Sequence, residues 1–162
     1  MGLYDSYVTA QATIQAAIEP SRLWRGSNSK RMRYQVQAGA EEVTRRITET
    51  VAVLDNSCEN PTSGNPMRFK LLSHKPGKYV SMFILTPYWC DKATFEVHPE
   101  GQNKCSMVAF ARSTGVLPIV LPFSFLINTA LFFVPFTDAL GKMSKYVIKQ
   151  VVQQSGLQAN VL

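Results

Sequence analysis

Two histidines, three cysteines and a scatter of carboxylates are the side chains in this sequence that could carry acid–base, nucleophilic or metal chemistry. None is spaced for it. His74 and His98 sit on separate strand-like segments, with no further ligand at metal-binding spacing. His98 falls on the polar phase beside Glu96, which reads as a surface position. Ser113-Thr114-Gly115 is not the G-x-S-x-G turn of a serine nucleophile, and no phosphate-cradling glycine loop occurs. Glu41 and Glu42 read as acids in the first turn of a helix, where its dipole favours negative charge. Asp91, next to Trp89 and Cys90, reads as a loop residue without an evident partner. Cys58, Cys90 and Cys105 are odd in number and widely spaced, which argues against a disulfide framework. They read as small buried hydrophobes in a reducing, intracellular setting, cytoplasmic or organellar. The chemistry therefore points to a non-enzymatic protein without cofactor or metal. A cyclase-like enzyme is the third reading; it needs a titratable residue inside a pocket, and the sequence names none.

Charge is the next signal. The net charge is +6, and Arg22, Arg25, Lys30, Arg31 and Arg33 fall in a stretch without an acid. Such a cluster suits an anionic membrane surface or an acidic partner, or is a solvated face. Lys142, Lys145 and Lys149 form a second group. Trp24 and Tyr34 could stack on bases, but the apolar C-terminal third fits nucleic acid poorly. The opening Met1-Gly2-Leu3-Tyr4-Asp5-Ser6 fits the N-myristoylation pattern at Gly2. One acyl chain holds a membrane only marginally and needs a second signal such as a basic patch. No secretory signal is apparent.

The most informative stretch runs from Ser113 to Thr137, 25 residues without a charge. About 20 apolar residues suffice to span a bilayer. Against a span, Pro118, Pro122 and Pro135 interrupt the run, and each interior proline costs a helix about 3 kcal/mol. Beyond Pro122 only 12 residues, Phe123–Val134, are free of proline, a length that suits a buried or interfacial helix. Phe123, Leu126, Ala130 and Phe133 share one helical face, and the other faces are apolar too. A helix apolar all round must be covered. Core packing, a lid, membrane insertion and a protein interface all remain open as the cover.

These features need elements to position them. Alternation through Met32, Tyr34 and Val36 predicts a half-buried strand. Val43, Ile47, Val51 and Leu54 repeat at helical spacing and predict a helix over about 40–55. Residues 5–19 permit helix or strand, and 20–30 read as a loop. Met67–His74 and Lys78–Pro87 flank Lys75-Pro76-Gly77, a hairpin turn. Ala93–His98 and Lys104–Ser113 form a second hairpin. Tyr79–Leu85 is apolar on both faces, so it predicts a strand covered on both sides. A last helix is expected over about 138–154, with Leu140, Met143, Val147 and Val151 as its apolar stripe and Gly156 as its stop.

This order, together with Tyr34–Val43 (a strand running into an acidic helix start) and Arg112–Pro118 (RSTGVLP, a last strand and corner before a closing helix), resembles the START and plant-pollen-allergen superfamily of helix-grip folds. The resemblance covers about Arg31 to Gln154. The chain departs from it in being one or two strands short before Met67 and in its longer apolar run. The resemblance implies an α+β fold, a curved antiparallel sheet packed on a long C-terminal helix. Residues 1–30 would form an N-terminal extension, 31–155 the domain and 156–162 a tail. It also implies an apolar pocket for a hydrophobic small molecule or lipid, with Tyr79, Phe83, Trp89, Phe95 and Phe110 lining it and Phe123, Leu126 and Phe133 as a lid. The alternative is an accessory subunit of a larger membrane-bound assembly, in which a protein partner covers the apolar surfaces.

Overall fold

The computed structural model describes residues 31–61, 64–85, 89–116 and 138–162, together with 3, 6–7, 9–10 and 12–13. The elements run β1 (Met32–Val36), α1 (Ala40–Leu54), β2 (Arg68–Lys75), β3 (Tyr79–Leu85), β4 (Trp89–Gly101), β5 (Lys104–Val116), α2 (Asp138–Gln154) and β6 (Ala159–Val161). The strands make one six-stranded sheet in the order β2-β3-β4-β5-β1-β6, antiparallel at every pairing. The curved sheet and its helices are the α+β architecture expected from the sequence.

Local chemistry sets the two hairpins. In the first, the Lys78 N–H donates to the Lys75 carbonyl across Pro76 and Gly77 (3.0 Å). Proline supplies the fixed φ of the second turn position, and Gly77 at φ 74° supplies the positive φ that a type II turn demands at the third. The second hairpin joins two 13-residue strands, β4 and β5, which form the spine of the sheet. Register shifts at Cys90/Asp91, Pro99/Gly101 and Leu71/Ser73 mark irregularities that bend such strands.

Period-2 alternation sorts the side chains. Tyr34, Val36, Phe69, Val80, Met82, Ile84, Ala93, Phe95, Val97, Cys105, Met107, Ala109 and Ala111 point to one face and are buried. Both helices cover that face. Helix α1 turns Val43, Ile47 and Val51 inward and packs on β2, β3 and β4; α2 turns in Val147, Ile148, Val151 and Val152 and packs on β4 and β5. Helix α2 ends at Gln154, and Gly156 follows at φ 71°, a left-handed stop beyond the last turn. Within the stretch read as a tail, Ala159–Val161 adds a strand beside β1 (Tyr34 opposite Val161).

The opposite face of β3 is also closed. Ser81, Phe83 and Leu85 are buried there, and Tyr7 and Ala12, from the helical residues near the N-terminus, pack against Phe83 and Leu85 with Leu72. This is the two-sided cover that Tyr79–Leu85, apolar on both faces, calls for, and it comes from the chain itself.

Candidate functional site

Among the described residues, Asp55 and Asp91 are drawn into the protein body. The first is Asp55, just past the end of α1. Its Oδ1 accepts from Arg68 Nε at 2.9 Å and from the Phe69 N–H at 2.8 Å, and Oδ2 accepts from Arg68 Nη2 at 3.3 Å. Lys70 Nζ stands 3.8 Å from Oδ2. Arg68 is buried in this pair, which ties α1 to the edge strand β2.

The second is Asp91, near the start of β4. It lies on the inward phase with Ala93, Phe95 and Val97 and is only 2% exposed. Its strand neighbours are Ile84 and Ser113. From across the layer, the Ser144 hydroxyl of α2 donates to Asp91 Oδ2 at 2.9 Å, and Ser144 is fully buried. A hydroxyl can donate one bond and still accept others. So the seam between the sheet and the closing helix holds a carboxylate and a hydroxyl, where neighbouring positions hold alanine and branched aliphatics. From sequence alone Asp91 reads as a loop residue without a partner. The structure corrects this: it is a strand residue paired to α2. The available signal was an acid in phase with Ala93, Phe95 and Val97.

The residues expected to line a pocket separate on the two faces of the sheet. Phe95 lies on the inner face in the main core. Phe83 lies on the outer face under the N-terminal helical residues. Tyr79, also on the outer phase, lines an open depression of about 530 Å³ with Lys78, Thr94, Glu96, His98 and Pro99. Phe110 lies under the Arg31 guanidinium, 4.5 Å from ring centroid to carbon. Trp89 opens β4 opposite Val116. Phe123, Leu126 and Phe133 lie outside the described residues, as do Gly2, Arg22, Arg25 and Lys30. Of the basic cluster, Arg31 and Arg33 are exposed, and Arg31 also pairs with Glu96 at 3.7 Å.

Nucleophilic chemistry finds little support among the described groups. Burial, aided by Glu59, pushes the Cys58 thiol up from its ordinary pKa, and burial with Glu100 does the same for Cys105. Both are held as thiols rather than reactive thiolates. Burial likewise raises the Tyr34 phenol. His74 and His98 are exposed. Among the described residues no cluster of His, Cys, Asp and Glu could hold a metal ion, and no helix is long and apolar enough to cross a membrane.

A strand, a helix, four antiparallel strands and a closing helix packed on the sheet make an α+β arrangement of helix-grip form. No family model matches the chain, and no curated protein does. Solved structures do. A START superfamily protein from Mycobacterium smegmatis aligns with a TM-score of 0.46 at 12% identity, over 79% of this chain and 93% of its own. An HSP90 activator from Plasmodium falciparum aligns at 0.43 and 6% identity, over 83% and 100%. A norcoclaurine synthase from Thalictrum flavum aligns at 0.41 and 11% identity, over 82% and 99%.

Proposed function

We propose that this protein is a non-enzymatic binding domain for a hydrophobic ligand or lipid, held where the uncharged run meets the sheet and the closing helix. One observation carries the reading. The 25 uncharged residues Ser113–Thr137 join the end of β5 to the start of α2, the two elements that form the grip. An apolar segment of that length needs cover from water, and an apolar ligand gains about 25 cal/mol for each Å² it buries against such a segment. Trp89, at the same end of the sheet, and Phe123, Leu126 and Phe133 in the run are the side chains assigned to the ligand. Phe95 belongs to the floor of the inner layer. Tyr79, Phe83 and Phe110 belong to the outer face and serve the sheet's other side.

The basic residues Arg22, Arg25, Lys30, Arg31 and Arg33 supply orientation on an anionic membrane, each worth about 1 kcal/mol near the surface. Liposome flotation with and without anionic lipid, followed by extraction and mass analysis of bound lipid, tests the reading. Co-flotation that strengthens with anionic lipid, or recovery of a bound apolar molecule, is the expected result. A protein that stays in the soluble fraction and carries no lipid sinks it.

A further inference from the structure

We infer that the free edge of β6 is where two copies of this chain pair, antiparallel about Asn160, to make one continuous sheet. The inference is independent of the ligand reading above. The sheet has two edges, β2 and β6. An edge strand presents unpaired backbone groups, and proteins blunt it with charged side chains and bulges. Strand β2 does both. It carries Arg68, Lys70, His74 and Lys75, and its register shifts between Leu71 and Ser73. Strand β6 does neither. Residues Gln150–Leu162 hold no charge, and β6 pairs with β1 in one unbroken register.

The register fixes which groups are open. The Gln37 N–H donates to the Gln158 carbonyl at 3.0 Å, and the Leu162 N–H to the Arg33 carbonyl at 2.9 Å. Gln158, Asn160 and Leu162 therefore turn their backbone groups toward β1. In an antiparallel pair the residues between them turn theirs away, so Ala159 and Val161 present their N–H and C=O groups to the open side. A second copy rotated by a half-turn about Asn160 sets Ala159 of each copy opposite Val161 of the other. Each such pair exchanges both of its hydrogen bonds, which is the self-matching that a two-fold interface demands. The side chains agree. Val161 stands opposite the buried Tyr34, yet Val161 and Leu162 are 72% and 71% exposed. Charge favours the same edge. Two copies at +6 repel, and an uncharged strand is where they meet at least cost. So short an edge makes a small interface, and the dimer is a weak one.

Sedimentation equilibrium of the full chain tests this. The average mass is expected to rise from that of one chain toward that of two between micromolar and submillimolar concentration. High salt should strengthen the association, because it screens like charge. Val161→Lys puts an ammonium group on each copy at the joint and is expected to weaken pairing about fivefold or more. Val161→Pro removes an N–H that β1 does not use and is expected to weaken pairing about tenfold or more. Leu71→Lys, on the opposite edge, should leave the dissociation constant within about twofold. Val161 is exposed, so both substitutions there keep the fold, which circular dichroism confirms. A single-chain mass at every concentration overturns the proposal. So does a dimer that neither substitution at Val161 weakens. Hydrogen-exchange protection of the Ala159 and Val161 amides that appears only when a different protein is added gives the edge to another occupant, and equally overturns it.

Discussion

Asp55 and Asp91 are both carboxylates brought into the body of the same sheet, and they tie different helices to it. Asp55 closes the junction of α1 with β2 through a paired guanidinium and a backbone N–H. Its charge is matched by charge, and its geometry is that of a clamp. Asp91 lies deeper, on the spine of the sheet, and meets a hydroxyl from the helix that grips it. Each ties a helix to the sheet, Asp55 at the edge strand β2 and Asp91 at the inner strand β4.

Substitutions can break that comparison. Arg68→Ala removes the guanidinium from Asp55, which keeps the Phe69 N–H and Lys70, and is expected to cost about 2 kcal/mol, read as a lowered urea midpoint with an unchanged slope. Ser144→Ala removes one hydrogen bond from a buried carboxylate and is expected to cost about 1–2 kcal/mol by the same measurement. Arg31→Ala, on the exposed outer face, is expected to cost about 1 kcal/mol or less, since its ion pair with Glu96 and its contact with Phe110 are both solvent-facing. That small loss should shrink further in high salt.

The elements that could be read in advance are those whose signal is local. Pro76-Gly77 carries its turn in two residues, the stripe through Val147 and Val151 marks the last helix, and the apolar Tyr79–Leu85 announces a strand with two covered faces. What escaped was non-local. Three residues, Ala159–Val161, have too little pattern to reveal a strand, and their partners Tyr34, Gln35 and Val36 on β1 lie more than 120 residues back in the chain. Asp91 escaped because its neighbours Trp89 and Cys90 drew the reading toward a loop, and its partner Ser144 lies 53 residues on. Residue type alone groups the aromatics. Phase is what sends Phe95 to one side of the sheet and Phe83 to the other.

The pairing of β1 has a kinetic consequence. Its hydrogen-bonding neighbours are β5 on one side and β6 on the other, and the contact from Gln35 to Cys105 already spans 70 residues. Residues 31–36 therefore emerge from the ribosome long before either neighbour exists. The two hairpins can form alone, whereas β1 must wait with both edges open. Folding of this sheet should be slow for its size, because long loops are closed before their contacts reward the closure. During that wait the first strand is the segment most exposed to mispairing.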